Sequence, residues 1–265
     1  EVDALSNSTA ACLQAEWGVA VDSTVALLGS RSADFLVSML AVLKTGASYV
    51  AVDPEYPEAR QKQLLQDAAP ALIISERSGL YQAPVVTFQK LAQRSKAYLS
   101  FAAPAVAAGS RAYLIFTSGT TGKPKGISIS HTNIADYVQT VARYFELTHS
   151  DSVVQQSSPS FDTFQEEVWP AWYKGARVVI APEGGKDIDA LVQIIQEQEI
   201  TILSATPLVL QEVNTTSDMT KLKSLRLAIS GGDLLHQEQV SGLLRFAAVY
   251  NSYGPTETTV CATFS

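Results

Sequence analysis

The chain has 265 residues, 46% of them hydrophobic, which is enough to bury a substantial core as one large or two smaller domains. A net charge of −7 without any dense Lys/Arg run argues against nucleic acid as the main partner, and the longest apolar run, residues 35–43, is too short to span a bilayer. Cys12 and Cys261 stand far apart without metal-type neighbours, so the sequence points to neither a disulfide framework nor a zinc site; with no secretory signal at its start, a reducing, cytoplasmic setting is expected.

Residues 3–17 have helical periodicity, with Leu5, Ala10, Leu13 and Trp17 on one face, and 24–28 read as a buried strand. Ser32 is placed to cap a helix running to residue 44, with Gly46 at its end. A strand at 48–52 enters Asp53-Pro-Glu-Tyr-Pro57, whose prolines enforce a loop before a helix at 58–68 and a strand at 71–75. Residues 96–110, rich in Ala, Ser and Pro, are read as a surface connection between two sheet lobes, at about 1–100 and 111–265. Ile127 and Ile129 alternate with Ser128 and Ser130, as in the returning strand of a hairpin, and a helix follows at 132–145. Then come a strand near 153, a helix at 164–173, a strand at 177–180, a helix at 187–197 and a strand at 200–203. A helix from 208, a strand at 225–229, a helix at 235–246 and a strand at 248–250 complete the chain. Such alternation predicts an α/β fold of largely parallel sheets with covering helices.

One stretch carries the chemistry: Tyr113-Leu-Ile-Phe-Thr-Ser-Gly-Thr-Thr-Gly-Lys-Pro-Lys-Gly126 joins an apolar strand to a loop of glycines, hydroxyls and two lysines. Glycine lets main-chain N–H groups approach a ligand closely, the hydroxyls of Thr117, Ser118, Thr120 and Thr121 add donors, and Lys123 and Lys125 add charge, so the loop reads as a grip for phosphate. It is not the P-loop of nucleotide hydrolases. The residue five before Gly122 is Thr117 rather than Gly, and Lys123 is followed by Pro124 where a magnesium-binding hydroxyl belongs.

This wording closely resembles the phosphate loop of adenylate-forming enzymes, the superfamily of acyl-CoA synthetases, luciferases and peptide-synthetase adenylation domains. Asn251-Ser-Tyr-Gly-Pro-Thr-Glu-Thr-Thr259 resembles its adenine and magnesium segment, and Leu43-Lys-Thr-Gly-Ala-Ser-Tyr-Val-Ala-Val-Asp-Pro-Glu-Tyr-Pro57 a core motif typical of nonribosomal peptide-synthetase adenylation domains. The resemblance spans essentially the whole chain. It implies a layered αβαβα arrangement, as in the large N-terminal subdomain of these enzymes, and use of ATP and Mg²⁺. By it, Thr117, Ser118, Gly119, Thr120, Thr121, Gly122 and Lys125 would hold the β- and γ-phosphates, Thr256 the α-phosphate, and Glu257 the metal. Tyr253 would stack on adenine and Asn251 bond its amine, with Gly231, Gly232 and Asp233 on the other face and Ser252 and Gly254 beside them.

The same resemblance places substrate selection on Asp162, Thr163, Glu166, Ser204, Ile229, Gly231, Ser252, Val260 and Cys261. Asp162 would pair with the α-ammonium of an amino acid, a residue that acyl-CoA synthetases generally lack; the competing reading makes it a helix cap completed by Gln165. Asp162 and Glu166 stand four apart, so within one helix they share a face. A buried carboxylate needs a cation or hydrogen bonds, so Glu166 predicts a basic amino acid, lysine first, then ornithine or arginine; the competing reading makes Glu166 and Glu167 a solvated face. The three histidines form no catalytic constellation.

The implied function is ATP-dependent formation of an aminoacyl-AMP, followed by transfer to the phosphopantetheine thiol of a carrier domain, with a condensation domain as neighbour. In the family, an aspartate for the ribose hydroxyls and a mobile lysine-bearing subdomain follow beyond the position of Ser265, so the chain is expected to be the core of a longer protein. Two alternatives stand beside this: an acyl- or aryl-CoA ligase core, and a binding remnant without turnover.

Overall fold

A computed structural model describes the whole chain except residues 78, 80, 81, 119–123 and 217 and the side chain of Ser118. It divides into two compact units, Glu1–Ile134 and Ala135–Ser265.

In the first unit, α1 (Val2–Trp17) precedes β1 (Thr24–Leu28), every residue of which is buried. Helix α2 (Ala33–Lys44) starts where the Ser32 hydroxyl accepts the Phe35 N–H at 3.1 Å, and Gly46, at φ +79°, follows its end as the periodicity predicts. Then follow β2 (Ser48–Val52), α3 (Glu58–Ala68) and β3 (Leu72–Ser75). The next two elements, β4 (Val85–Thr87) and the short α4 (Phe88–Ser95), are not among those that periodicity predicts. Next come β5 (Arg111–Ser118) and β6 (Pro124–Ser130), an antiparallel hairpin whose Ile127 and Ile129 point inward.

The sheet runs β4-β3-β1-β2-β5-β6, parallel up to β5. The hairpin thus belongs to the first sheet, because Tyr49 and Val50 of β2 pair with Tyr113 and Leu114 of β5. The reading of 96–110 as the connection between lobes at about 1–100 and 111–265 is therefore corrected: the units part at 134/135. One face packs Ala26, Val50, Val52, Leu64, Leu65, Ile73 and Leu114 into a single cluster.

Helix α5 (His131–Tyr144) leads into the second unit, where β7 (Ser152–Gln155), α6 (Thr163–Tyr173), β8 (Arg177–Ile180), α7 (Ile188–Glu197), β9 (Ile202–Ala205), α8 (Pro207–Asn214), β10 (Leu227–Ser230) and β11 (Ala248–Tyr253) alternate. The sheet order β12-β11-β10-β9-β7-β8 is parallel except for the short β12 (Thr263–Phe264), which pairs antiparallel with β11. Parallel strands end on one edge, so the loops after β7, β9, β10 and β11 gather there. Leu191, Ile195, Leu203, Leu210, Ala228 and Leu243 centre its core.

The helix expected over 235–246 does not form; two short 3₁₀ turns, Gln237–Val240 and Leu243–Arg245, replace it. Asn214 Oδ1 accepts the N–H groups of Gly242 at 2.7 Å and Leu243 at 3.1 Å, which takes both donors from a continuous helix.

At the opposite edge, Asp151, Thr201 and Arg226 each immediately precede a strand. Arg226 donates Nε to Asp151 Oδ1 at 2.7 Å and Nη2 to Oδ2 at 2.8 Å, while the Thr201 hydroxyl and Thr148 N–H reach the same carboxylate at 2.8 Å. Burial works to raise the Asp151 carboxyl, but these donors outweigh it and hold it down at about 2. Its folded value lies below the ordinary 3.8, so its contribution is present above about pH 4 and lost as pH falls through about 2. Asp151→Asn is expected to lower stability by about 2 kcal/mol, the modest end for a broken buried pair because Arg226 is 41% exposed. Urea melts from pH 6 to 2 should show that the substitution removes part of the acid-induced loss seen in the parent.

Candidate functional site

In the first unit, Thr117 and Lys125 face each other near the loop end of the β5–β6 hairpin, with Lys125 exposed. Gly119, Thr120, Thr121, Gly122 and Lys123, and the side chain of Ser118, lie outside the described residues.

The second unit holds the acids. Asp162 sits at the N-cap position of α6 in helical geometry, and its side chain makes no capping hydrogen bond. The carboxylate instead meets the Thr256 hydroxyl and the nearby N–H groups of 162 and 163. Gln165 does not complete a capping pair, since its Oε1 accepts Trp169 Nε1 at 2.6 Å. Burial, with Glu257 as a neighbouring charge, raises the Asp162 carboxyl.

Glu166 and Glu167 form no solvated face: they are 7% and 0% exposed. Glu166 Oε1 accepts the Ser204 hydroxyl at 2.6 Å and Oε2 the Tyr137 hydroxyl at 2.7 Å. Burial pushes its carboxyl up, and Asp162 adds to this against the two hydrogen bonds. Among the described residues no lysine or arginine acts on either Asp162 or Glu166. Each oxygen of a carboxylate can accept more than one hydrogen bond, so both acids keep acceptor capacity for a cation.

Other residues of the selected set converge on the same place. Ser204 lies opposite Ile229 in the β9–β10 register. Gly231 follows β10 and lies so close to β11 that a Cβ there would stand 2.6 Å from Ser252 Oγ, which itself donates to the Ser230 carbonyl at 3.0 Å. Cys261 interacts with Ser252 and feels the Glu166 charge; burial first and Glu166 second push its thiol up to about 11. Buried Val260 precedes it at φ +69°, and Thr163 opens α6.

The residues expected around adenine lie on the loops after β10 and on β11. Tyr253 presents its ring 68% exposed, Asn251 Oδ1 is buried without a hydrogen-bond partner among the described residues, and Gly232 takes φ +87° beside exposed Asp233. An exposed aromatic ring and an open buried acceptor fit a nucleobase with an exocyclic amine. Gly254 has no room for a side chain, since a Cβ would meet Cys261 Cα at 2.5 Å. Exposed Glu257 presents carboxylate oxygens of the hard-donor type at the surface, while among the described residues no cluster of three or more His, Cys, Asp or Glu could hold a metal.

Sequence reasoning missed two parts of this site. Tyr137 of α5 carried no local sign beyond its place on an apolar helical face. Glu167 draws four donors from the end of β7: Gln155 Nε2 at 2.9 Å, Gln156 N–H at 3.2 Å, Ser157 N–H at 3.1 Å and Ser157 Oγ at 2.8 Å.

The chain belongs to the family described as AMP-binding enzyme, whose model matches residues 1–265, and this defines its class as the adenylate-forming ligases. It is 37% identical to bacitracin synthase 2 of Bacillus licheniformis over 259 residues, covering 96% of this chain and 10% of that protein. It is 33% identical to tyrocidine synthase 3 of Brevibacillus parabrevis over 271 residues, covering 100% and 4%. The chain thus spans a tenth or less of the length of these relatives. The N-terminal subdomain of NpsA from Klebsiella oxytoca, in complex with 3-hydroxyanthranilyl-AMSN, matches all of this chain and 67% of its own with a TM-score of 0.90 at 26% identity. NpsA-ThdA, an artificially fused adenylation-PCP di-domain from the same organism, matches all of this chain and 54% of its own with a TM-score of 0.92 at 27% identity. Among the described residues no helix is long and apolar enough to cross a membrane.

Glu167 yields a prediction about the frame of the site. Burial first, and the adjacent Glu166 charge, raise its carboxyl to about 7 against its donors. Because the folded value exceeds the ordinary 4.5, stability should fall as pH rises from about 4.5 to 7 and level off above. Glu167→Gln places an amide N–H₂ among donors; a loss of about 2 kcal/mol at pH 5 and a flatter pH profile are expected in denaturant melts.

Proposed function

We propose that the chain is the core of an amino-acid adenylation domain of a nonribosomal peptide synthetase, joining a basic amino acid, lysine or ornithine, to AMP with release of pyrophosphate. In that reaction a substrate carboxylate oxygen bonds to the α-phosphorus, and the bond to pyrophosphate breaks with its electron pair leaving on pyrophosphate. The observation that carries the reading is the pair Asp162 and Glu166, two buried or half-buried carboxylates one turn apart on α6 with only neutral donors. Four residues of helix separate them by about 6 Å along the axis, so two cations on one short chain can serve both. Asp162 takes the α-ammonium and Glu166 the side-chain ammonium. A carboxylic acid without an amine satisfies neither, which sets this reading apart from a CoA ligase.

ATP would be held by Thr117, Ser118, Gly119, Thr120, Thr121, Gly122 and Lys125 at its terminal phosphates. Tyr253 and Asn251, with Ser252, Gly254 and the Gly231-Gly232-Asp233 backbone, would take its base. N–H groups, hydroxyls and Lys125 of this loop would stabilise charge as pyrophosphate leaves. Glu257 would ligate Mg²⁺, which supplies further neutralisation of phosphate charge. Thr256, whose hydroxyl now engages Asp162, would turn to the α-phosphate. The product would pass to the phosphopantetheine thiol of a carrier domain, with a condensation domain next in the parent chain; the peptide-synthetase relatives and the adenylation-PCP neighbour support that partner.

Amino-acid-dependent exchange of labelled pyrophosphate into ATP tests the proposal, with lysine, ornithine, arginine, neutral amino acids and simple carboxylic acids as substrates. Exchange restricted to lysine and ornithine is expected, and Asp162→Ala should reduce kcat/KM for both about 100-fold, the equivalent of about 3 kcal/mol. Exchange with a neutral amino acid alone would overturn the basic-substrate reading. Exchange with acids lacking an amine would move the chain to the CoA-ligase class, and binding without exchange would make it a binding core.

A further inference from the structure

We infer that Tyr137 is a positioning residue for side-chain selection: its hydroxyl fixes the carboxylate of Glu166 in the place and charge state that a basic substrate requires. The inference rests on the proposal that Glu166 meets a substrate ammonium, and it adds a residue from an element outside the selected set.

Tyr137 lies on the buried face of α5 with Ile134, Val138, Val141 and Ala142, and its ring is 8% exposed. From there its hydroxyl reaches Glu166 Oε2 at 2.7 Å, while Ser204 of β9 holds Oε1 at 2.6 Å. Two donors from two elements thus bracket the carboxylate and leave one orientation in which both oxygens are served. Both bonds favour the ionised form, because a carboxylate accepts two donors and a protonated carboxyl turns one oxygen into a donor.

Of the charged or titratable groups that face Glu166, Asp162 opposes that ionisation, while Glu167 and the Cys261 thiol are themselves raised by the Glu166 charge. Asp162 and Glu167 stand on α6 itself, and the Cys261 thiol approaches from the loop after β11. Burial pushes the carboxyl up in the same direction. With the Tyr137 hydroxyl removed, Ser204 is the remaining donor, so the carboxyl protonates at higher pH and its second oxygen is free to swing. A neutral or displaced carboxyl holds an ammonium poorly.

Tyr137→Phe keeps the ring and removes one oxygen. Pyrophosphate exchange and calorimetric binding of lysine, each from pH 5.5 to 8.5, are compared in the parent chain, Tyr137→Phe, Glu166→Gln and the double variant. For Tyr137→Phe the lysine KM should rise about tenfold at pH 7 with kcat changed less than twofold, and the rise of kcat/KM with pH should move to higher pH. In the Glu166→Gln background the same change should have no further effect, because there is no carboxylate left to hold. An unshifted pH profile, an equal fall in kcat, or additive effects in the double variant would overturn the role of Tyr137 while leaving the basic-substrate reading intact. A parent chain that neither binds nor exchanges a basic amino acid would overturn both. If Tyr137→Phe does not fold, as judged by far-ultraviolet circular dichroism, Tyr137 is a packing residue and the inference falls.

Discussion

The first turns of α6 place three carboxylates inside the second unit, and no lysine or arginine among the described residues is set against Asp162 or Glu166. Burying charge without an opposite charge is costly, and the surrounding architecture answers that constraint with neutral donors. The N-terminal end of a helix favours negative charge, which helps Asp162 and Glu166. Glu167 is the most deeply enclosed of the three and is answered in full, with four donors from the end of β7. Glu166 receives two and half-buried Asp162 chiefly the Thr256 hydroxyl and local N–H groups. The acids are therefore graded. The one tied to the frame is saturated, and the two read as ligands for substrate retain room for partners.

On the proposed reading, the sheet separates the tasks of holding and selecting. Asp151, Thr201 and Arg226 each stand just before a parallel strand, so their hydrogen-bonded cluster clamps the edge where strands begin. Selection residues stand where strands end or just beyond, and their approach depends on the missing side chains of Gly231 and Gly254. A residue larger than glycine at 254 would push the Cys261 segment outward, and Cys261 with it from Glu166. Charge that stabilises the fold is paired at one edge, while charge left without a cation is concentrated at the other.

Much of this was legible in the sequence, for identifiable reasons. Local signals were read correctly: Ser32 caps α2, Gly46 follows it, and Ile127 and Ile129 alternate inward along β6. Remote partners decided the misreadings. The hairpin joins the first sheet through Tyr49 and Val50, more than sixty residues before their partners, and apolar spacing over 235–246 cannot reveal that Asn214 takes two of its N–H groups. The site shows the same division. Motif residues could be named from their wording, whereas Tyr137 acts through a hydroxyl at the end of a ring that otherwise packs like any apolar residue.

Selection by Glu166, as proposed, would follow a general asymmetry in how sites discriminate. A pocket that measures length by apolar contact separates homologues differing by one methylene by only about 10- to 200-fold, whereas a site built around a buried polar group rejects substrates lacking its partner far more strongly. Lysine and ornithine differ in length, while both differ from neutral amino acids in charge. The proposed pocket is therefore a charge selector first and a ruler second. Its sharpness depends on Glu166 remaining ionised and fixed, since a carboxyl free to protonate could turn to a neutral hydrogen-bonding side chain instead. Tyr137 and Ser204 serve both oxygens at once, and on the proposed reading they would oppose that escape and leave a cation as the partner the substrate must bring.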